Sequence, residues 1–254
     1  MRTSWGSATD RGHVREVNED ALLTFPPVFL VADGMGGYDA GDLASRIAVE
    51  EFAQLAGAVS VGVEDVHACF ARACGRMRAE FTGGRQGGTT VAGAVLVEVD
   101  REPYWLVFNV GDSRVYRFSD DGLEQVSVDH SVAQELAEAG VIRRDQVSSH
   151  PDRHVLTRAL GTGEAPEPDY WMLPAGTRDR LLVCTDGLVR ELSDDDLAVA
   201  LAGGGDPQAL ADRLVAAALA RGGRDNVSVV VVDVVPVAAL VGESWTTTPR
   251  GVWG

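Results

Sequence analysis

The 254-residue chain contains no lysine; all 22 of its basic residues are arginine. That absence excludes a Walker-type phosphate loop and a Schiff-base lysine, because both need a lysine side-chain nitrogen. Cysteine is scarce. Cys69, Cys74 and Cys184 are odd in number and irregularly spaced, which suggests a reducing compartment rather than a disulfide framework. His13, His67, His130, His150 and His154 are scattered, with no zinc-ligand spacing. No apolar run reaches the ~18 residues of a membrane span, and residues 1–10 hold no apolar signal region. Positive charge is also short. With 22 basic against 38 acidic residues the net charge is −16, which argues against nucleic acid or an anionic membrane as main partner. A soluble cytoplasmic protein is expected.

What is present suits a folded core: 45% of residues are hydrophobic, and neither a repeat nor a clear interdomain linker interrupts them. Short runs rich in Val, Leu, Phe and Thr predict strands at 21–24, 28–31, 89–97, 105–109, 115–118, 181–184 and 227–232. Asp121-Gly122 predicts a hairpin turn. Helical spacing marks 42–57 (Leu43, Ile47, Ala48, Phe52), 63–81 (Val66, Phe70, Ala73, Met77) and 206–221 (Leu210, Leu214, Ala217, Ala218), with shorter helices at 131–139 and 194–202. Asp206-Pro207 is a good cap and first position for the third long helix. Strands in antiparallel groups with long helices in the connections predict an α+β layered domain over residues 1–235, not alternating βαβ units. Residues 142–163, with Arg143, Arg144, Arg153 and Arg158, lack periodicity and read as a mobile surface excursion. The polar tail 236–254, with Trp245 and Trp253, is expected to be loosely ordered.

The chemistry centres on residues 29–41. There an apolar run ends on Asp33, and Gly34, Gly36, Gly37 and Gly41 follow before a helix pattern begins. Glycine beside a strand end lets backbone approach a ligand closely. The same arrangement recurs. Asp112 follows the run 105–110 through Gly111, Asp186 follows 181–185 and precedes Gly187, Asp225 precedes Asn226 and the run 227–232, and Glu19-Asp20 leads into 21–24. One such acid is ordinarily a solvated turn residue. Acids from five such places converging at strand ends would repel one another and raise their pKa values unless cations sat between them. Oxygen-only ligands favour Mg²⁺ or Mn²⁺. Arg15, four residues before Glu19, brings a guanidinium that matches phosphate oxygens. Two hard ions and one arginine would suit a phosphomonoester.

Seven motifs in one order resemble the bacterial metal-dependent serine/threonine protein phosphatases of type 2C. They are Val14-Arg15-Glu16-Val17-Asn18-Glu19-Asp20, Val31-Ala32-Asp33-Gly34-Met35-Gly36-Gly37, Gly87-Gly88-Thr89-Thr90, Val110-Gly111-Asp112-Ser113-Arg114, Leu156-Thr157-Arg158-Ala159-Leu160-Gly161, Thr185-Asp186-Gly187-Leu188 and Asp225-Asn226-Val227-Ser228. The resemblance spans about residues 4–233. It implies an αββα β-sandwich of two antiparallel sheets flanked by helix pairs, with a two-metal centre at one end. By the same resemblance Asp33 bridges both ions, the Gly34 carbonyl ligates one, and Asp186 and Asp225 complete the opposite shell. Glu19 and Asp20 act mostly through water, with Asp20 orienting the nucleophile. Arg15 holds the substrate phosphate, and Asp112 helps bind a third, weaker ion. Residues 142–163 correspond to the family's flap. The activity implied is hydrolysis of phosphoserine and phosphothreonine in proteins by metal-activated water, opposing a bacterial serine/threonine kinase, by a monomer.

One departure stands out. Bacterial relatives commonly carry His where this chain has Tyr38, and some animal relatives carry His at the place of Met35; either His has been proposed to protonate the leaving oxygen. Tyr38, with an ordinary pKa of ~10, is an inefficient acid, so slow turnover of poor leaving groups is expected. Three rivals remain. Cys184 and Arg190 have the Cys-x5-Arg spacing of cysteine-dependent phosphatases, but Asp186 inside that loop would repel phosphate. A non-catalytic phosphoprotein-binding regulator is the second, although Asp33, Asp186 and Asp225 all stand. A nucleotide-binding loop at 34–41 is the third, and it lacks the Gly-x-Gly-x-x-Gly spacing.

Overall fold

The computed structural model describes residues 2–36, 40–83, 86–163 and 165–235. Tyr38 and the tail 236–254 lie outside the described residues. The first half runs β1 (Arg2–Asp10), β2 (Asp20–Phe25), β3 (Val28–Gly36), α1 (Ala40–Phe52), α2 (Val63–Glu80), β4 (Gly87–Thr89), β5 (Val91–Val99) and β6 (Glu102–Val110). The second half runs β7 (Arg114–Ser119), β8 (Gly122–Gln125), α3 (Val132–Glu138), β9 (Asp169–Pro174), β10 (Arg180–Cys184), α4 (Asp186–Val189), α5 (Asp194–Ala202), α6 (Pro207–Arg221) and β11 (Val227–Val235).

The strands pair antiparallel throughout. One sheet has the order β1-β11-β10-β7-β8, the other β2-β3-β5-β6-β9, with β4 paired to the end of β3. Each central strand is apolar on both faces because each sheet is covered twice. On β11, Val227, Val229 and Val231 meet Leu210 and Leu214 of α6 and Leu197 and Leu201 of α5. The alternate residues Val230, Val232 and Val234 face the other sheet. On β3, Val28 and Leu30 meet Ile47 and Phe52 of α1 and Val66 and Phe70 of α2, while Phe29 and Val31 face inward. The result is the layered α/β/β/α architecture expected. Phe52 anchors one outer layer, edge-on to Phe70 at 5.0 Å and stacked on Phe108 at 5.1 Å; truncating it to Ala would cost about 3–5 kcal/mol. Asp206 caps α6 by accepting the Ala209 N–H at 3.0 Å, with Pro207 in the first turn as the sequence predicts.

Three strands and one helix depart from expectation. β1 is an edge strand whose residues are mostly half-buried, so Arg2–Asp10 carries no apolar alternation. β9 is the other sheet's edge, and only Asp169–Pro174 on it pairs with β6. β4, Gly87–Thr89, is too short and glycine-rich to show as an apolar run, whereas β8 is the second arm of the hairpin expected at Asp121-Gly122. α4 is a single turn, too short for periodicity. Residues 142–163, expected to be a surface excursion, hold a 3₁₀ helix, Arg144–Ser149, and are pinned at their far end. Leu160 is fully buried and exchanges two backbone hydrogen bonds with Thr89, at 3.0 and 2.9 Å.

Candidate metal centre

The inward-facing rows of both sheets run out at the same end of the sandwich, and there they change from apolar to polar. On β3 the row Phe29, Val31 continues to Asp33. On β2 the residue directly opposite Asp33 is Asp20. From the other sheet, Leu181 and Val183 lead to Thr185, and Val230 is preceded by Ser228. Thr185 Oγ1 donates to Asp20 Oδ2 at 2.9 Å and accepts the Ser228 N–H at 3.0 Å, so one hydroxyl joins the two sheets beneath the acids. A strand alternates strictly, so the inward parity that buries Val31 also aims Asp33 into the cleft.

Above these residues lies a cavity of about 210 Å³ lined by Arg15, Glu19, Asp33, Gly34, Asp112, Asp186 and Asp225. The fold therefore gathers seven of the eight predicted site residues around one space. Asp20, the eighth, sits opposite Asp33 at the same end. The local backbone explains the glycines. A Cβ on Gly34 would collide with the carbonyl oxygens of Gly41 and Glu19, whose segments close against β3 there. A Cβ on Gly187 would collide with the Asn226 carbonyl, so the turn carrying Asp186 packs against the one carrying Asp225. Asn226 holds the 11–19 loop in place. Its Oδ1 accepts the Glu19 N–H at 2.9 Å, and its Nδ2 donates to the carbonyls of Arg11 and Val17 at 2.8 and 3.0 Å.

The electrostatics follow from this crowding. Burial pushes Asp20 up to about 7, opposed by hydrogen bonds from Ser228 and Thr185 and assisted by repulsion from Asp186 and Asp225. Burial raises Asp33 well above the carboxylate range, and Asp20, Asp186, Asp112 and Asp225 add to it. Asp112 shifts the same way, through burial and then Asp186 and Asp129. Asp186 is raised by burial, although Arg190 pulls it back. Oδ1 of Asp20 and Oδ1 of Asp186 are buried without any hydrogen-bond partner. Buried lone pairs of this kind are costly unless a donor or cation meets them. A donor set dominated by carboxylate oxygens, two of them open, with one histidine at its edge, fits a hard divalent cation.

A sequence model of the family described as Protein phosphatase 2C matches residues 10–219. The chain belongs to the protein phosphatase 2C family. It is 31% identical over 239 residues to the serine/threonine phosphatase stp of Listeria innocua, covering 89% of this chain and 93% of that protein. The crystal structure of the Mycobacterium tuberculosis serine/threonine phosphatase PstP/Ppp superposes with a TM-score of 0.86 at 32% identity, over 92% of this chain and 99% of that one. A structure of the catalytic domain of PstP in complex with two manganese ions superposes with a TM-score of 0.80 at 31% identity, over 92% of this chain and 99% of that one. Protein phosphatases 2C are metal-dependent, and this chain is a phosphatase of that kind.

In this protein phosphatase 2C, two residues stand at the centre that the sequence places there only in a discounted pattern or not at all. His154 comes in from the 142–163 segment. Its ring nitrogen and carboxylate oxygens of Asp112 and Asp186 lie within 4.8 Å of one another, and its Nδ1 is 4.0 Å from Asp186 Oδ2. Burial, then Arg190 and Arg153, push His154 down to about 4, so it is neutral at neutral pH. A lone histidine in an arginine-rich stretch carries no ligand signal. The second residue is Arg190, which ion-pairs with Asp186 at 2.5 Å and with Asp225 at 2.6 Å. Its i,i+4 spacing from Asp186 is the one signal that could have found it. Cys184, its partner in the Cys-x5-Arg pattern, is fully buried, and burial pushes its thiol up to about 12, which disqualifies it as a thiolate nucleophile. His130 serves its loop. Nδ1 accepts the Gly111 N–H at 3.1 Å beside Asp112, which leaves Nε2–H for Asp169 at 3.1 Å.

Proposed function

We propose that the chain hydrolyses phosphoserine and phosphothreonine monoesters in proteins at the Asp33 cavity. The observation that carries this reading is the meeting of Asp33, Asp186 and Asp225, far apart in sequence, on one cavity that Arg15 also lines. Asp33, Asp186, Asp225 and the Gly34 carbonyl would hold two divalent ions, Mn²⁺ or Mg²⁺, and Asp112 a third, weaker one. Such ions lower the pKa of water and screen phosphoryl charge.

The chain's own residues supply the rest. Arg15 pairs its Nε and Nη2 with the two oxygens of Asp225, and would turn this fork to phosphate oxygens once ions take that carboxylate. Asp20, its Oδ2 held by Thr185, leaves Oδ1 to accept a hydrogen bond from the attacking water. Glu19 orients water through its side chain at the cavity wall. Residues 142–163 border the cavity through His154 and Leu156, which supports a flap that influences substrate choice. The phosphoprotein would be one modified by a cognate serine/threonine kinase. No helix among the described residues is long and apolar enough to cross a membrane; cytoplasmic location and a monomeric state complete the proposal. Assay of p-nitrophenyl phosphate and a phosphothreonine peptide with and without Mn²⁺ tests it. Metal-dependent turnover of both is expected. Metal-dependent phosphopeptide binding without turnover would favour the regulator instead.

A further inference from the structure

Asp225 has no free oxygen. Its Oδ1 accepts Arg15 Nε at 2.7 Å and the Asn226 N–H at 3.0 Å. Its Oδ2 accepts Arg15 Nη2 at 2.9 Å and Arg190 Nη1 at 2.6 Å. A carboxylate offers about four lone-pair positions, so all are taken. Asp186 is half engaged: Oδ2 pairs with Arg190 Nη2, while Oδ1 is open. Arg190 therefore bridges the two carboxylates, with its charge between them. Two negative and two positive groups balance there, and an entering divalent ion meets the Arg190 guanidinium in its way. Arg190 is also free to leave. It follows the single turn α4, its side chain is 30% exposed, and it lines the same cavity as Arg15.

We propose that Arg190 is a second phosphate-binding residue, held on the metal ligands Asp186 and Asp225 until divalent ions displace it into the cavity. This rests on the metal-ligand assignment above. The ion and Arg190 compete for the same carboxylate oxygens. The ion displaces the Arg15 fork from Asp225 in the same step, and a phosphoryl group, which presents three oxygens, has one left for Arg190 beside a bidentate Arg15. Ion binding thus precedes phosphate binding, and phosphate binds poorly without the ion. A purely structural Arg190 would only lose affinity on removal; a competitor, when removed, lets the ion bind more tightly.

The test is calorimetric titration of Mn²⁺ into the metal-stripped full chain, followed by inorganic phosphate, for the native protein, Arg190→Gln and Arg190→Lys. Arg190→Gln is expected to bind Mn²⁺ about fivefold or more tightly, since a like charge is removed from the site. It is expected to bind phosphate about tenfold more weakly in Mn²⁺, the loss of one charge-assisted contact, with KM for p-nitrophenyl phosphate rising more than kcat falls. Arg190→Lys, which keeps the charge, is expected to stay near the native Mn²⁺ affinity and so guards against misfolding of the Gln variant. Unchanged or weaker Mn²⁺ binding by a folded Arg190→Gln overturns the proposal while leaving the metal centre intact. Mn²⁺ binding that survives Asp33→Ala undiminished overturns the metal centre itself, and the proposal with it.

Discussion

Asp20 on β2 stands directly opposite Asp33 on β3, two carboxylates paired across an antiparallel ladder. Like charges in that relationship are destabilising. The arrangement persists because the rest of the sandwich over-determines it: Phe29 and Val31 fix the parity of β3, and Thr185 fixes Asp20 from the opposite sheet. A fold that holds repelling acids in register is a fold prepared for a cation.

Asp33→Ala and Asp186→Ala should each lower turnover at least about a thousandfold if, as proposed, both are ligands to the ions that supply the chemistry. Neither should unfold the protein. Removing a buried acid relieves repulsion, so the metal-free melting temperature is expected to hold or rise. Steady-state assay with Mn²⁺ and thermal melts check both halves; near-native rates in either variant would exclude this site.

The stability of the metal-free protein should depend on pH in a particular sense. Asp20 moves from an ordinary 3.8 to about 7 in the folded state, and Asp33, Asp112 and Asp186 shift in the same direction. Between those values the folded protein holds protons that the unfolded chain has released. The unfolded chain binds fewer, so stability falls as pH rises. The contribution is fully present below about pH 4 and lost above about pH 7. Melting in EDTA from pH 4 to 8 should show the decline, and Asp20→Asn should flatten it. A decline unaltered in Asp20→Asn would contradict the assignment.

Much of this was legible before any coordinates. The apolar runs in β3, β10 and β11 are buried on both faces, and each has an acid within two residues of one end, at Asp33, Asp186 and Asp225. Buried central strands advertise themselves, and so do their polar terminations. β1 and β9 were illegible because an edge strand buries too little to need alternation. Arg190 was illegible for a different reason. An arginine four residues after an aspartate looks like any exposed helical ion pair, and only the fold brings Asp225 to its other side. Converging acids require cations among them. In this structure two of them are arginines.

Thr185→Val should separate positioning from ligation. The substitution keeps the volume of a fully buried side chain but leaves Asp20 Oδ2 and the Ser228 N–H without their partner. Stability should drop by about 1–3 kcal/mol. With Asp20 held less firmly, by Ser228 without Thr185, kcat should fall about tenfold while KM and Mn²⁺ affinity change little. An unchanged kcat would mean that Asp20 does not orient the reacting water.

Arg15→Ala should raise KM for phosphomonoesters more than it lowers kcat, since under the proposed role its guanidinium would bind phosphate in ground and transition states alike. An unchanged KM would place the phosphate elsewhere.

The central claim is that Asp33, Asp186 and Asp225 hold divalent ions together. The most direct measurement is a crystal structure of the full chain grown with Mn²⁺ and phosphate, with anomalous differences locating the metal. Two peaks within coordinating distance of Asp33, one of them shared with Asp186 and Asp225, and phosphate against Arg15, is the predicted result. A cavity without a peak, or manganese bound only away from Asp33, would contradict the account.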